Sequence, residues 1–187
     1  MPLNNIIQKL LVSEKELIVH SVNVSCLATK FGRYIGLHEA DVNHLKLGGF
    51  LHDIGKIKLD SNVLFKQGKL TDEEYALVKH HPKIGYNMLL DTEISKENAI
   101  LDIVLEHHER PDGKGYPRGI SKISKLAKIV SICDVYDVIT SERSYKIARD
   151  DNVAFHEIKN GLGKQFDEEL GLLFLEMMNE TTVKKIS

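Results

Sequence analysis

The sequence predicts an all-α fold, and three observations support that prediction. Apolar residues recur at helical spacing along almost the whole chain, as they do on the buried face of an amphipathic helix. No run of four to eight residues alternates cleanly between apolar and polar, as a half-buried strand does. Residues typical of helix starts and stops separate the helical segments.

The first two helices are predicted from the residues at their ends. Ser13 and Glu16 have the spacing of a capping box, which would open a long helix to about Ile35. Gly36 follows where that helix would stop. A second helix is predicted from about Glu39 into the motif LHDIGK.

The middle of the chain contains another capping box, formed by Thr71 and Glu74. Its helix is predicted to break before Pro82, which suits the first turn of the next helix. Ser95 is predicted to cap a later helix. That helix would turn four apolar residues inward: Ile100, Leu101, Val104 and Leu105.

The last predicted helices cover about 124–141, 151–159 and 167–178. The Gly- and Pro-containing stretches LFKQGKL and RPDGKGYPRG are predicted to be loops within one domain. No internal repeat or low-complexity tract interrupts the pattern. We therefore predict a single domain over 1–187, with a core from about 13 to 178.

The composition limits the possible functions. With 187 residues, of which 42% are hydrophobic, the chain can bury a core of its own. A net charge of −2 provides no basic field for duplex nucleic acid or an anionic membrane. No signal peptide or membrane span is recognisable, so we expect a cytoplasmic protein. Cys26 and Cys133 lie far apart without CxxC spacing and are predicted to be reduced core thiols.

The chain contains nine histidines, and several lie with acidic residues at or near predicted helix ends. Imidazole and carboxylate are the usual protein ligands of divalent metals. If the helices bundle, the following groups could converge: His20, His52, Asp53, His81, His107, His108 and Asp134. Asp53 is the natural bridging carboxylate, because it follows His52 directly.

Each of these residues also has an ordinary structural explanation. A helical histidine such as His20 is more often a hydrogen-bonded core residue, and Asp134 with Asp137 would usually form a solvated face. Asp53 can cap the following turn, and His80 is assigned to the surface. The fixed order of LHDIGK, HHP, HHERPDGKGYP and CDVYDVITSERSYK within one small domain favours a shared site instead.

These motifs resemble the HD-GYP domain family, a subfamily of the HD metal-dependent phosphohydrolases, from about Ser13 to Met178. The resemblance implies an HD-type helical bundle that hydrolyses cyclic di-GMP to pGpG, and often on to GMP. It implies two or three divalent ions, iron or manganese, with a metal-bridging hydroxide as the attacking group. Asp53 would be catalytic as the metal bridge, and His81 is chosen over His80 because the family's ligand directly precedes the proline. The implied metal ligands are His20, His52, Asp53, His81, His107, His108 and Asp134.

The resemblance also implies contacts to substrate. Lys56 of HDIGK would be catalytic, facing the active site, binding substrate and assisting the leaving oxygen. Arg143 and Lys146 of SERSYK would bind phosphate, and Tyr116 of GYP would contact the dinucleotide. The alternative for Arg143 and Lys146 is that they only balance the dipole of a helix ending near Ser141.

The stretch LEHHERPDGKGYP places two histidines at a helix end and a tight loop after them. Successive side chains at a fraying helix end can diverge, so His107 and His108 are predicted to serve different metals. Gly113 and Gly115 permit positive φ, and Pro117 fixes the exit of the loop. We therefore expect this loop to fold back beside the metals.

Two interpretations of Glu16 compete. Glu16 and His20 are four residues apart, about 40° apart around a helix, and could bind one metal together. The capping box with Ser13 would instead turn the Glu16 side chain back to the backbone. The resemblance favours the metal, because an additional ligand occupies this position in some HD-GYP proteins.

The chain departs from the family pattern in three respects. Ser144 stands where the family usually has proline, and the connection RGISKISKLAK after GYP is slightly shorter than usual, so substrate fit could be altered. The chain also begins almost at the first catalytic helix rather than after a sensory or receiver domain. Two alternatives to a cyclic di-GMP phosphodiesterase are therefore kept: another HD phosphohydrolase acting on nucleoside phosphates, and a catalytically silent regulatory binding module. A homodimer or a sensory or diguanylate cyclase partner is also considered, whereas duplex nucleic acid and membrane are not expected as partners.

Overall fold

The computed structural model describes residues 2–13, 15–141 and 150–186. Within these ranges the chain forms ten α-helices and two 3₁₀-helices and no β-strand, which confirms the predicted all-α fold. The α-helices are α1 (Leu3–Leu11), α2 (Lys15–Tyr34), α3 (Glu39–Leu51), α4 (Ser61–Leu64), α5 (Asp72–Val78), α6 (His81–Leu90), α7 (Asn98–Glu106), α8 (Lys125–Thr140), α9 (Asp151–Gly161) and α10 (Glu168–Ile186). The 3₁₀-helices cover Ile54–Lys58 and Glu93–Lys96. No helix in the described ranges has the length and apolar character needed to cross a bilayer.

Several predicted helix ends are confirmed. Gly36 follows α2 and adopts a φ of 71°, which a residue without a Cβ reaches at no steric cost. The second capping box is present at α5: the Glu74 amide donates to the Thr71 hydroxyl at 3.2 Å, and the Thr71 amide donates to the Glu74 carboxylate at 2.7 Å. Pro82 lies in the first turn of α6, where its missing N–H costs no intrahelical bond.

Other local predictions are wrong. Ser95 lies inside the second 3₁₀-helix and does not cap α7, whose N-cap residue is Glu97. Thr92 caps that 3₁₀-helix instead, because its hydroxyl accepts from the Ile94 amide at 3.1 Å. Leu105 is half-buried rather than part of the core, and Ile103 points inward on the same helix.

Cys26 is also placed differently from the prediction. Cys133 is fully buried in α8, but Cys26 is exposed. Val24 and Ala28 form part of the buried face of α2, and Cys26, which lies two residues from each, faces solvent at helical periodicity.

Two hydrophobic clusters support the helices that carry the candidate ligands. Leu45 of α3 and Ile103 of α7 belong to one cluster. Leu51 of α3 and Val104 of α7 belong to the other. Because both helices are anchored on two sides, the residues at their C-terminal ends are held in place.

The close packing of α2 on α3 brings the first candidate ligands together. A Cβ at Gly49 would lie 3.1 Å from the Ser25 Cα, so a larger residue would push the two backbones apart. The Ser25 hydroxyl donates to the Lys46 carbonyl at 2.6 Å across the same interface. As a result, the rings of His20 and His52 lie with centroids 5.1 Å apart.

Candidate metal centre

The structure brings seven of the predicted ligands into two groups, and the ligand atoms of each group lie within 4.8 Å of one another. The first group is His20, His52 and Asp134. The second group is Asp53, His81, His107 and His108. His107 and His108 belong to the same group, so the prediction that they separate to serve different metals is wrong. At the end of α7 their rings stay close, with centroids 4.1 Å apart.

Asp53 lies where the two groups meet. Its Oδ2 atom is 3.5 Å from His20 Nε2 and 3.4 Å from His52 Nε2. Its Oδ1 atom is 3.1 Å from His81 Nε2 and 3.8 Å from His107 Nε2. One carboxylate therefore presents a different oxygen to each group, which is the geometry of a bridging ligand.

Two buried ligand atoms show that these groups suit a cation. His52 Nε2 and Asp53 Oδ1 are buried and form no hydrogen bond with any described residue. Leaving a buried polar atom unsatisfied costs about 1–3 kcal/mol. A divalent ion bound by both groups would satisfy these atoms, and imidazole with carboxylate is a donor set that such ions accept.

Hydrogen bonds at the far side of three imidazole rings orient them towards the centre. The Nδ1 atom of each ring donates to a backbone carbonyl: His52 to Gly49 at 2.7 Å, His81 to Val78 at 2.8 Å, and His107 to Val104 at 3.0 Å. Because a carbonyl oxygen can only accept, each Nδ1 carries the proton and each Nε2 keeps a free lone pair. This tautomer is the one that a metal bound at Nε2 requires.

The fourth ring, His20, is oriented by Asp137, for which a solvated face was the ordinary alternative. Asp137 Oδ2 lies 2.6 Å from His20 Nδ1. Asp137 Oδ1 accepts from Asn23 at 2.8 Å and from the Ser141 hydroxyl at 2.7 Å. Both Asp134 and Asp137 are buried, so the solvated-face alternative is wrong. Their spacing of three residues does place them on one face of α8, the only sequence signal for this role.

The carboxylates of the centre are ionised at neutral pH. Burial tends to raise the pKa of Asp53, but Lys56, whose Nζ lies 2.6 Å from Oδ2, and His52 outweigh it and hold that pKa well below its usual value. Burial also tends to raise the pKa of Asp134, but the hydrogen bond with His20 outweighs burial and lowers that pKa.

The imidazoles differ in protonation. Burial lowers the pKa of His107 well below its usual value and lowers that of His108 to about 3, so both are neutral ligands near pH 7. Burial also opposes protonation of His20, but its bonds to Asp134 and Asp137 outweigh burial and raise its pKa to about 9. In the absence of metal, His20 therefore carries a proton that binding of a cation would release.

The two histidines of HHP are clearly distinguished. His81 is fully buried in the centre, whereas His80 is exposed at the start of α6. The residue chosen from its position before the proline is thus the one that reaches the other ligands.

Glu16 lies near the centre but in neither group of ligands. It lines a cavity of about 200 Å³ that also contains Asp53 and Lys56. The Ser13 hydroxyl donates to the Leu10 carbonyl at 2.6 Å at the end of α1. The choice between a metal ligand and a capping residue therefore stays a prediction.

A second cavity gives access to the other side chains of the centre. It has a volume of about 350 Å³ and is lined by His108, Tyr116 and Asp134. The Tyr116 ring stacks on the His108 ring, with centroids 4.6 Å apart and an angle of 29°. The GYP tyrosine is thus placed against a candidate ligand. Arg143 and Lys146, the predicted phosphate contacts, lie outside the described residues.

The loop that follows the paired histidines folds back as expected, for partly different reasons. Gly113 adopts a φ of 72°, as predicted, but Gly115 does not have a positive φ. A Cβ at Gly115 would lie 2.5 Å from the backbone of each of His108, Glu109 and Arg110, so the absence of a side chain permits close backbone contact.

Two buried glutamates, which the sequence interpretation missed, hold this loop. Glu109 accepts from the backbone amides of Arg118 at 2.7 Å and of Ile120 at 3.0 Å. Glu106 accepts from the Ser124 amide at 2.7 Å and forms an ion pair with the Arg118 guanidinium. They tie the end of α7 to the start of α8, which carries Asp134. Acidic residues three apart at the end of an apolar helix are the signal that could have indicated them.

Replacing Glu109 with glutamine tests the role of this clamp. Both Glu109 oxygens accept backbone N–H groups, and an amide can offer only one acceptor oxygen. Loss of one charged hydrogen bond costs about 2 kcal/mol, which we expect to lower the melting temperature by about 4–8 °C. Glu157→Gln, on the exposed side of α9, is the matched control. Equal melting temperatures of the two variants would show that the clamp contributes nothing.

The comparisons with known proteins agree with this architecture. Residues 5–170 match the family model described as HD domain. A cyclic di-GMP phosphodiesterase of Pseudomonas aeruginosa is 44% identical over 140 residues, covering 74% of this chain and 34% of that protein. A cyclic di-GMP phosphodiesterase of Thermotoga maritima is 35% identical over 165 residues, covering 87% and 45%. This chain thus spans less than half the length of either relative.

A solved structure shows the same fold. The HD domain of the phosphodiesterase PgpH from L. monocytogenes, in complex with cyclic-di-AMP, matches with a TM-score of 0.72 and 23% identity, covering 95% of each chain. At this identity the likeness concerns the fold alone. Taken with the family model and the curated relatives, it leads to one conclusion: the chain belongs to the HD domain family and, within it, to the HD-GYP subfamily.

Proposed function

We propose that the protein is a metal-dependent phosphodiesterase that hydrolyses cyclic di-GMP to pGpG, and pGpG further to GMP. The observation that carries the proposal is the position of Asp53, which turns one oxygen to each of two groups of ligands. The curated relatives act on cyclic di-GMP, which supports the choice of substrate.

We expect the two groups to hold two divalent ions, iron or manganese. His20, His52 and Asp134 would hold one, His81, His107 and His108 the other, and Asp53 would bind both. When bound, such ions neutralise phosphate oxygens and lower the pKa of water towards 7, so that hydroxide is available at neutral pH.

Residues around the metal groups would bind the substrate and assist the leaving group. Lys56 donates to Asp53 Oδ2 at 2.6 Å and lines the adjoining cavity, so its ammonium can stabilise negative charge and give a proton to the departing oxygen. Burial raises the pKa of Tyr116, which keeps its hydroxyl neutral and able to donate to a phosphate. Arg143 and Lys146 are proposed to bind phosphate on the resemblance alone.

The test is an assay with a panel of substrates. Protein loaded with Mn²⁺ or Fe²⁺ is incubated with cyclic di-GMP, cyclic di-AMP and nucleoside mono- and triphosphates, and the products are separated by chromatography. The proposal expects conversion of cyclic di-GMP to pGpG, with GMP appearing later, and no conversion after metal removal. Preferential hydrolysis of a nucleoside phosphate would favour the other HD phosphohydrolase, and binding without hydrolysis of any substrate would favour the regulatory module.

Glu16→Gln tests whether a third ion is held beside the two groups. The amide keeps a capping hydrogen bond possible but ligates metal weakly. If Glu16 and His20 share an ion, elemental analysis should show a fall of about one metal per chain, with little change in melting temperature. An unchanged metal content would assign Glu16 to the cap and leave a two-ion centre.

A further inference from the structure

A larger cavity adjoins the candidate metal centre. It has a volume of about 560 Å³ and is lined by residues of α1, the first 3₁₀-helix and α4. We call it the lysine groove, because Lys9, Lys56 and Lys58 line it. Ligand sites typically have volumes of about 300–1,000 Å³, so the groove is large enough for part of a nucleotide ligand.

The lysine groove borders the cavity that contains Asp53. The two cavities share four lining residues: Leu17, Lys56, Leu64 and Phe65. Lys56 is the charged residue among them, and it contacts the bridging carboxylate directly at 2.6 Å. A ligand that reached from the metal centre into the groove would therefore pass Lys56.

The walls of the groove combine two kinds of contact. Lys9 and Lys58 are exposed, and no described acidic side chain forms an ion pair with either of them. Phe65 is half-buried beside Leu17 and Leu64. Ammonium groups bind phosphate as point charges, and an aromatic ring with apolar neighbours offers a surface on which a base can stack.

We propose that the lysine groove is a second nucleotide subsite, in which Lys9 and Lys58 bind one phosphate of a ligand whose other phosphate lies at the metal centre. This proposal deepens the proposed function, on which the identity of the ligand rests. The phosphate has two sources: the second phosphodiester of cyclic di-GMP, or the terminal 5′-phosphate of linear pGpG. Hydrolysis of one phosphodiester opens the ring of cyclic di-GMP, and the linear product pGpG can extend further than the cyclic substrate. The terminal 5′-phosphate of pGpG therefore suits a groove that lies beside the metal centre.

The experiment measures ligand binding to the metal-loaded full chain. Lys9→Ala/Lys58→Ala is compared with Lys96→Ala/Lys122→Ala, which removes the same charge from two exposed positions outside the groove. Phosphorothioate forms of cyclic di-GMP, pGpG and GpG, which resist hydrolysis, serve as probes. GpG lacks the terminal phosphate and so separates the two sources.

A rise of about tenfold in the dissociation constant of pGpG is expected for the groove variant, because two lysine–phosphate contacts are lost. A change below about twofold for GpG would then identify the terminal phosphate as the group that is bound. A comparable rise for cyclic di-GMP, again without one for GpG, would identify the second phosphodiester. The proposal is overturned if none of the three constants rises, or if the control variant shows the same rise.

Failure of this proposal can be told apart from failure of the proposed function. If the unaltered protein hydrolyses no cyclic di-GMP but the groove variant still binds pGpG more weakly, the subsite stands and the enzymatic assignment falls. If hydrolysis is observed and the groove variant binds all probes normally, the enzymatic assignment stands and the subsite falls.

Discussion

Asp53→Asn protein is expected to lose the proposed phosphodiesterase activity by about 10²–10³-fold or more, the scale of loss that follows removal of one preorganised transition-state contact. The expectation rests on the two oxygens of Asp53, one of which faces His52 and the other His81. An asparagine amide keeps the shape of the side chain but has one oxygen and no charge, so it cannot serve both groups. The metal content should fall together with the activity, because Asp53 is the carboxylate proposed to bind both ions.

The matched control for Asp53→Asn is Asp41→Asn. Asp41 lies in the first turn of α3, the helix that ends just before His52, and its side chain is 48% exposed. Activity, elemental analysis and melting temperature are measured for both variants. Full activity of Asp53→Asn at full metal content would refute the bridging role, whereas equal loss in both variants would point to damage of α3.

The positions of the helices could be predicted largely from local sequence. The capping box at Thr71 and Glu74 and the stop at Gly36 depend on residues within a few positions of one another, and the structure contains both. The prediction that Ser95 caps α7 is wrong because another residue of the capping type, Thr92, lies three residues earlier. Thr92 caps a 3₁₀-helix that contains Ser95. Local signals of equal strength therefore fix a helix end only to within a few residues.

The placement of the candidate ligands could be predicted because the motifs were specific, but their supporting residues could not. Asp137 orients His20, which lies 117 positions earlier in the chain, and its spacing from Asp134 places it on the right face of α8 without identifying His20 as its partner. Glu109 can be buried because the loop folds back and brings the backbone amides of Arg118 and Ile120 within hydrogen-bond distance of its carboxylate. A buried charged residue depends on partners that only the folded chain supplies.

Gly55 illustrates a further kind of information that the motif HDIGK does not reveal. A Cβ at this position would lie 2.0 Å from the carbonyl oxygen of His81 and 2.7 Å from the amide nitrogen of Gly85. Both atoms belong to the backbone of α6, so no side-chain rotation can relieve the contact. The glycine is required because the first 3₁₀-helix and α6 meet backbone to backbone, next to a candidate ligand.

Gly55→Ala is therefore expected to damage both stability and the second ligand group. Real Cβ contacts are not shorter than 3.0 Å, so α6 must move by about 1 Å from its 2.0 Å contact, which displaces His81 from Asp53. A misplacement of about 1 Å can cost about 10²-fold in rate, and overpacking costs about 1–3 kcal/mol, or about 2–12 °C in melting temperature. Elemental analysis should show a loss of about one metal per chain, because the first group does not include His81. The control is Gly171→Ala in α10, where the new Cβ would lie 2.3 Å from the movable end of the Leu162 side chain and at an ordinary contact distance of 3.9 Å from Ile158, without touching backbone of a neighbouring element. If Gly55→Ala kept the activity, metal content and melting temperature of that control, close contact between the 3₁₀-helix and α6 could not be what positions His81.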